Sequence, residues 1–151
     1  MNKKAIVGIG LGVVLLTSIV GVMSSSLPTD TNKIQDIERE REEKLNVIDN
    51  ASVAWQQGVI GNVQFIEVID QSITDTDTLR EEYLSLNLPS TYARYKQLSI
   101  DSLDKQKEAF LKLKEYIQTE DPETQQSLRA ELDQLLVTSF EYRRDSLKEL
   151  N

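Results

Sequence analysis

Ser102-Leu103-Asp104-Lys105 and the pair Tyr92 with Lys96 are the places where residue type and spacing in this chain could do covalent or acid-base chemistry. A Ser-x-x-Lys pair offers a hydroxyl nucleophile with an amine as its base, and a Tyr-x-x-x-Lys pair offers a phenol beside an ammonium. The first works with companion Ser-Asp-Asn and Lys-Thr-Gly segments, and neither occurs here. The second works on a dinucleotide fold, of which the chain carries only an imitation. Gly8, Gly10 and Gly12 follow Lys3-Lys4-Ala5-Ile6-Val7, but Val13 stands where the third glycine belongs, and the residues after it are apolar rather than amphipathic. Both pairs read as short coincidences on a helix.

Asp75 and Asp77 match the first and third positions of a calcium loop of the EF-hand type. Leu79 fails its fifth position, Arg80 replaces its sixth-position glycine, and Leu86 stands where the bidentate Glu belongs. A helix-breaking turn accounts for the two aspartates. Glu120, Asp121 and Glu123 are accounted for by capping of a following helix. Asn50-Ala51-Ser52 is an N-glycosylation acceptor placed in mid-helix, and Tyr83, Tyr92, Tyr95, Tyr116 and Tyr142 read as core at helical spacing. The whole chain holds no His and no Cys. That excludes thiol nucleophiles, imidazole acid-base schemes, most transition-metal sites and the Glu-x-x-His pairs of a di-iron bundle. No catalytic, cofactor-binding or metal-binding residue is assigned, and the chain is not read as an enzyme.

The elements that would position any site are marked by sparse punctuation. Outside the first 23 residues the only glycines are Gly58 and Gly61, and the three prolines are Pro28, Pro89 and Pro122. Asn32 with Gln35 forms a capping box that opens a helix to about Gln57, with Ile34, Ile37, Leu45, Ile48, Ala51 or Ser52, and Trp55 on one face. Arg39 with Glu43 and Glu40 with Lys44 are i,i+4 pairs, so this charged half reads as a solvated face. Val63, Ile66 and Ile73 carry a second stripe, with a break expected at Asp75-Thr76-Asp77 and a restart capped by Thr78 and buried through Leu79, Tyr83 and Leu86. Tyr92, Tyr95, Ser99, Leu103, Gln106, Phe110, Leu113 and Ile117, at alternating steps of three and four, predict a third helix from about Ser90 to Gln118. Asp121 and Pro122 open a fourth, with Leu128, Leu132, Leu135, Leu136, Phe140, Leu147 and Leu150 inward. The expectation is an all-α, three- to four-helix up-down antiparallel bundle over residues 32–151. Three helices result if Gly58 and Gly61 do not turn the chain.

Ahead of the bundle, Ala5 to Met23 runs for nineteen residues without a charge, directly behind Lys3 and Lys4. As a helix it reaches roughly 28 Å, close to the hydrocarbon thickness of a bilayer. No basic residue follows until Lys33, which orients residues 1–4 toward the cytoplasm and the rest outside. Residues 5–23 are expected to be a transmembrane anchor, or alternatively a cleaved signal, with 24–31 as a linker. Gly8 and Gly12 form a small-xxx-small pair that lets two membrane helices approach closely. A pilin-type cut between Ala5 and Ile6 would leave Gly10 where such leaders carry Glu. All 25 acidic residues but only 15 of the 17 basic ones lie beyond Met23, a formal charge of −10 that argues against nucleic acid and anionic lipid headgroups as partners.

The layout from the charged first helix through Leu88-Pro89-Ser90-Thr91-Tyr92 and the last two helices resembles uncharacterised envelope proteins of bacteria and archaea, in which a signal or anchor precedes a small helical bundle. The resemblance covers most of the chain and carries no catalytic residues with it. The functional expectation is a single-pass, membrane-tethered bundle acting through a protein partner or a homo-oligomer, as accessory subunit, scaffold or adaptor. The alternatives are a ligand-binding or sensory bundle working through a partner, and a secreted form.

Overall fold

Gly58 decides the helix count. It adopts φ 72°, a left-handed conformation that ends α1 (Thr29–Gln56), and Gly61 then caps α2 (Asn62–Ser85). Gln64 Oε1 accepts the Gly61 N–H at 2.9 Å, closing the first turn of α2. A single 3-10 turn over Ser90–Tyr92 leads into α3 (Ala93–Gln118), and three residues connect it to α4 (Pro122–Lys148). These elements come from a computed structural model that describes residues 29–150. The expected cytoplasmic start 1–4, the membrane segment 5–23 with Gly8 and Gly12, and residues 24–28 of the linker lie outside the described residues. Among the described residues, no helix is long and apolar enough to cross a membrane.

The described chain is an all-α bundle of four helices, each antiparallel to the next. On α1 and α2, Glu38 meets Tyr83, Lys44 meets Asp75 and Trp55 stacks on Phe65. On α2 and α3, Arg80–Asp104, Lys107–Asp77 and Lys114–Asp70 form a ladder at 2.7, 2.7 and 2.6 Å. Between α3 and α4 the contact is closer. The Ser102 hydroxyl donates to the Ser139 carbonyl at 2.7 Å, and the Ser139 hydroxyl donates to the Ser102 carbonyl at 2.8 Å. Small side chains that reach across to the opposite backbone hold these two helices together.

Three local expectations are corrected. α1 begins at Thr29 rather than Asn32, so residues 29–31 belong to the helix and not to a linker. Asp30 explains the early start: it sits in the first turn, pairs with Lys33 at 2.9 Å and accepts the Asn87 N–H at 3.1 Å. α2 runs unbroken through Asp75-Thr76-Asp77, and Thr78 lies inside it. Ser72, Thr74, Thr76 and Thr78 each return their hydroxyl to the carbonyl four residues back, while Asp75 and Asp77 are taken up by lysines of neighbouring helices. Polar side chains that could have competed with the helix are thereby satisfied within the bundle. The expected pairs along α1 also differ, since Arg39 bonds Asp36 at 2.8 Å and Lys44 crosses to Asp75 at 3.3 Å.

The α3 stripe is buried from Tyr95 to Ile117, and α4 buries Leu128, Leu132, Leu136 and Leu147. On α2 the buried face is Phe65, Ile69, Ser72, Thr76, Leu79 and Tyr83, which leaves Val63 exposed. The apolar interior is split. One cluster gathers Leu45, Ile48, Phe65, Ile69, Phe110, Leu113 and Leu132 toward the α1–α2 turn. The other gathers Ile34, Ile37, Leu79, Tyr83, Tyr95, Leu103 and Leu147 toward the start of α1.

Leu132 is fully buried and Leu111 is half-exposed. Leu132→Ala is expected to lower the unfolding free energy by about 2–5 kcal/mol, and Leu111→Ala by less than about 0.5 kcal/mol. Chemical denaturation followed by Trp55 fluorescence checks both.

Candidate functional site

Between the two apolar clusters the helical spacing continues but the residue types change. On α1, Arg41 occupies the inward position between Ile37 and Leu45, with 1% of its surface exposed. α3 contributes Ser99, Ser102 and Gln106 at the same depth, α4 Ser139, and α2 Ser72 and Thr76, all buried. Arg41 Nη2 donates to Ser102 Oγ at 2.6 Å and to Gln106 Oε1 at 3.2 Å. The Gln106 amide passes the connection on to Thr76 Oγ1 at 3.2 Å, and Thr76 donates to the Ser72 carbonyl at 2.7 Å. A continuous polar layer therefore crosses all four helices.

One turn toward the start of α1, Glu38 receives the rest of the layer. Its Oε1 accepts from the Tyr83 hydroxyl and, at 3.0 Å, from the Tyr95 hydroxyl, while Oε2 accepts from Arg143 Nη2 at 3.3 Å. The two tyrosine rings meet edge to face with centroids 6.1 Å apart. Burial pushes both hydroxyls well above the usual tyrosine range, and the Glu38 charge pushes them further. They act as neutral donors to a carboxylate. Burial and the nearby Arg143 charge both pull Arg41 below the usual arginine value, with Glu38 opposing them. The guanidinium nevertheless stays charged, so the layer holds two cations against one carboxylate.

The motif residues are dispersed. Ser102 is committed to Arg41 and Ser139, while Lys105 pairs with Glu108 at 2.9 Å on the surface, so the Ser-x-x-Lys pair is not assembled. Lys96 donates to the carbonyls of Leu84 and Leu86 at 2.7 and 2.8 Å, where it fastens the end of α2. Asp121 accepts the Thr124 N–H at 2.8 Å as the cap of α4. Asn50 is exposed, but Ser52 of the same acceptor triplet is buried in α1. Among the tyrosines, Tyr83 and Tyr95 are buried, whereas Tyr92, Tyr116 and Tyr142 are half-buried.

The spacing on α3 brings Ser99 and Gln106 into the layer, but Glu38, Arg41, Ser139 and Arg143 are not anticipated. The signal for Arg41 is its position: it falls on the stripe of Ile34, Ile37, Leu45 and Ile48, where an apolar residue is due. Among the described residues, no group of three or more His, Cys, Asp or Glu side chains is placed to hold a metal ion. The two cavities beside Gln106 are about 20 and 10 Å³, the larger between Leu45, Ile48, Phe110, Leu136 and Phe140. They are the size of single waters rather than of metabolites. Compared with protein-family models, with curated proteins and with solved structures, the chain matches none. The class defined by fold and site is a four-helix bundle with a buried polar layer.

A pH dependence follows from the tyrosines. The folded chain keeps both phenolic protons, whereas the unfolded chain loses them near pH 10, so their contribution is complete below about pH 10 and falls above it. Stability should drop by about 1.4 kcal/mol per pH unit for each tyrosine above that point. Tyr83→Phe and Tyr95→Phe should each remove one share of the slope in alkaline urea titrations. A slope that neither substitution changes would contradict the assignment.

Proposed function

We propose that this chain is a membrane-tethered, extracytoplasmic helical bundle that acts through protein contacts, as an accessory subunit, scaffold or adaptor in the envelope. The observation that carries the reading is the uncharged run from Ala5 to Met23 ahead of a bundle whose cavities beside Gln106 are water-sized. Such a run supports a tether, and cavities too small for a metabolite favour work done at the surface.

On this reading the contact surface has a direction. α1 starts at the tethered end and, at 28 residues, carries the α1–α2 turn roughly 40 Å away. Val59 and Val63 at that turn are 71% and 69% exposed, with Val53 beside them on the last turns of α1. Exposed branched apolar side chains at the far end of a tethered bundle suit contact with a neighbouring protein.

Two measurements on the full chain in its native cells test this reading. The protein should fractionate with membranes and begin at Met1 or Asn2. Photo-crosslinking from position 59 should yield one reproducible protein adduct, lost in Val63→Asp. A soluble product beginning between Ser25 and Leu27 would replace the tether with secretion, and a chain that stays uncrosslinked at native abundance would overturn the contact role.

A further inference from the structure

Among the described residues, four buried side-chain atoms make no hydrogen bond: Arg41 Nε, Arg41 Nη1, Arg143 Nε and Ser99 Oγ. All four can donate, and they come from three helices of one layer. Arg41 reaches α3 at Ser102, and Ser102 is bonded to Ser139 of α4. Ser99 lies about one turn before Ser102, and Arg143 lies about one turn after Ser139. Because α3 and α4 are antiparallel, these two steps run in the same direction along the bundle. Arg143 is also close enough for its charge to disfavour charge on Arg41.

The charges in the layer do not balance. Glu38 is its carboxylate, and the oxygens of Glu38 are already engaged by Tyr83, Tyr95 and Arg143. Arg41 hydrogen-bonds only neutral partners, the Ser102 hydroxyl and the Gln106 amide oxygen. A buried guanidinium that shares its one counter-charge, Glu38, with a second cation is costly, and buried donors without acceptors add to that cost. Water could satisfy the donors but would leave the excess charge in place.

We propose that the polar layer binds one small monovalent anion of chloride size, held by Arg41 Nε and Nη1, Arg143 Nε and the Ser99 hydroxyl. One negative charge neutralises two guanidinium groups and one carboxylate, whereas a divalent anion overcompensates. The enclosure of Arg41 and Ser99, 1% and 0% exposed, favours a small ion over a carboxylate, whose attached organic group would also have to be accommodated. The anion completes a structural layer, so its presence is read out in stability.

The test exchanges chloride for gluconate at constant ionic strength with the full chain in detergent. Raising chloride should lift the thermal midpoint saturably, by about 3–6 °C, because an ion bound to the folded state alone stabilises it. Ser99→Ala should shift the response to higher chloride, and Arg41→Met should abolish it. Crystals grown in bromide provide a reading that does not depend on a variant folding, with an anomalous peak expected within hydrogen-bond reach of Arg41 Nε or Nη1. A midpoint indifferent to chloride, an equal response in folded Arg41→Met, or water alone in the bromide crystals would each overturn the site.

Discussion

Arg41 has no apolar substitute for its hydrogen bonds, and the arrangement of the bundle depends on where they end. α1 is connected to α2 by a five-residue turn, but its connection to α3 and α4 runs through side chains: Arg41 to Ser102 and Gln106, and Glu38 to Tyr95 and Arg143. Apolar packing between Ile34, Ile37, Leu45 and Ile48 and their neighbours would tolerate a slide of one turn, because leucine and isoleucine present similar surfaces at either register. A slide would leave the buried Arg41 guanidinium and the half-buried Glu38 carboxylate without partners. The polar layer therefore excludes the alternative registers that the two apolar clusters alone would permit.

The same layer explains why α3 and α4 approach so closely. Serines at 102 and 139 satisfy each other through backbone carbonyls, which requires the helices to touch. The approach in turn places Arg143 within reach of Glu38 from the far side of the bundle. Surface ladders such as Arg80–Asp104 and Lys107–Asp77 follow this arrangement and contribute little each, since exposed pairs are screened.

Much of this was legible from residue order. The α3 stripe, the Asp121-Pro122 start of α4 and the inward leucines of α4 are where spacing places them, because long amphipathic periods and capping chemistry are local. The buried face of α2 was legible only toward its C-terminal end, where Leu79 and Tyr83 are inward as their spacing places them and Leu86 is buried just beyond. Its inward positions include Ser72 and Thr76, and a reading by hydrophobicity selects Val63 instead. The apparent break at Asp75 and Asp77 had the same origin, since their lysine partners lie on other helices. Arg41 and Glu38 look in sequence like part of a solvated charge run for a similar reason: their partners lie 45 to 105 residues away. Long-range polar satisfaction leaves no local pattern.

The register held by the polar layer depends on α1 keeping its place against α3 and α4. The most direct measurement of that claim is a double-mutant cycle joining Glu38→Gln and Arg143→Gln, followed by urea denaturation. If the layer couples α1 to α4, the coupling energy should be about 1–3 kcal/mol, with the double variant more stable than the sum of the single effects implies. Additivity within about 0.3 kcal/mol would mean that the two helices are held by apolar packing alone, and would contradict the account.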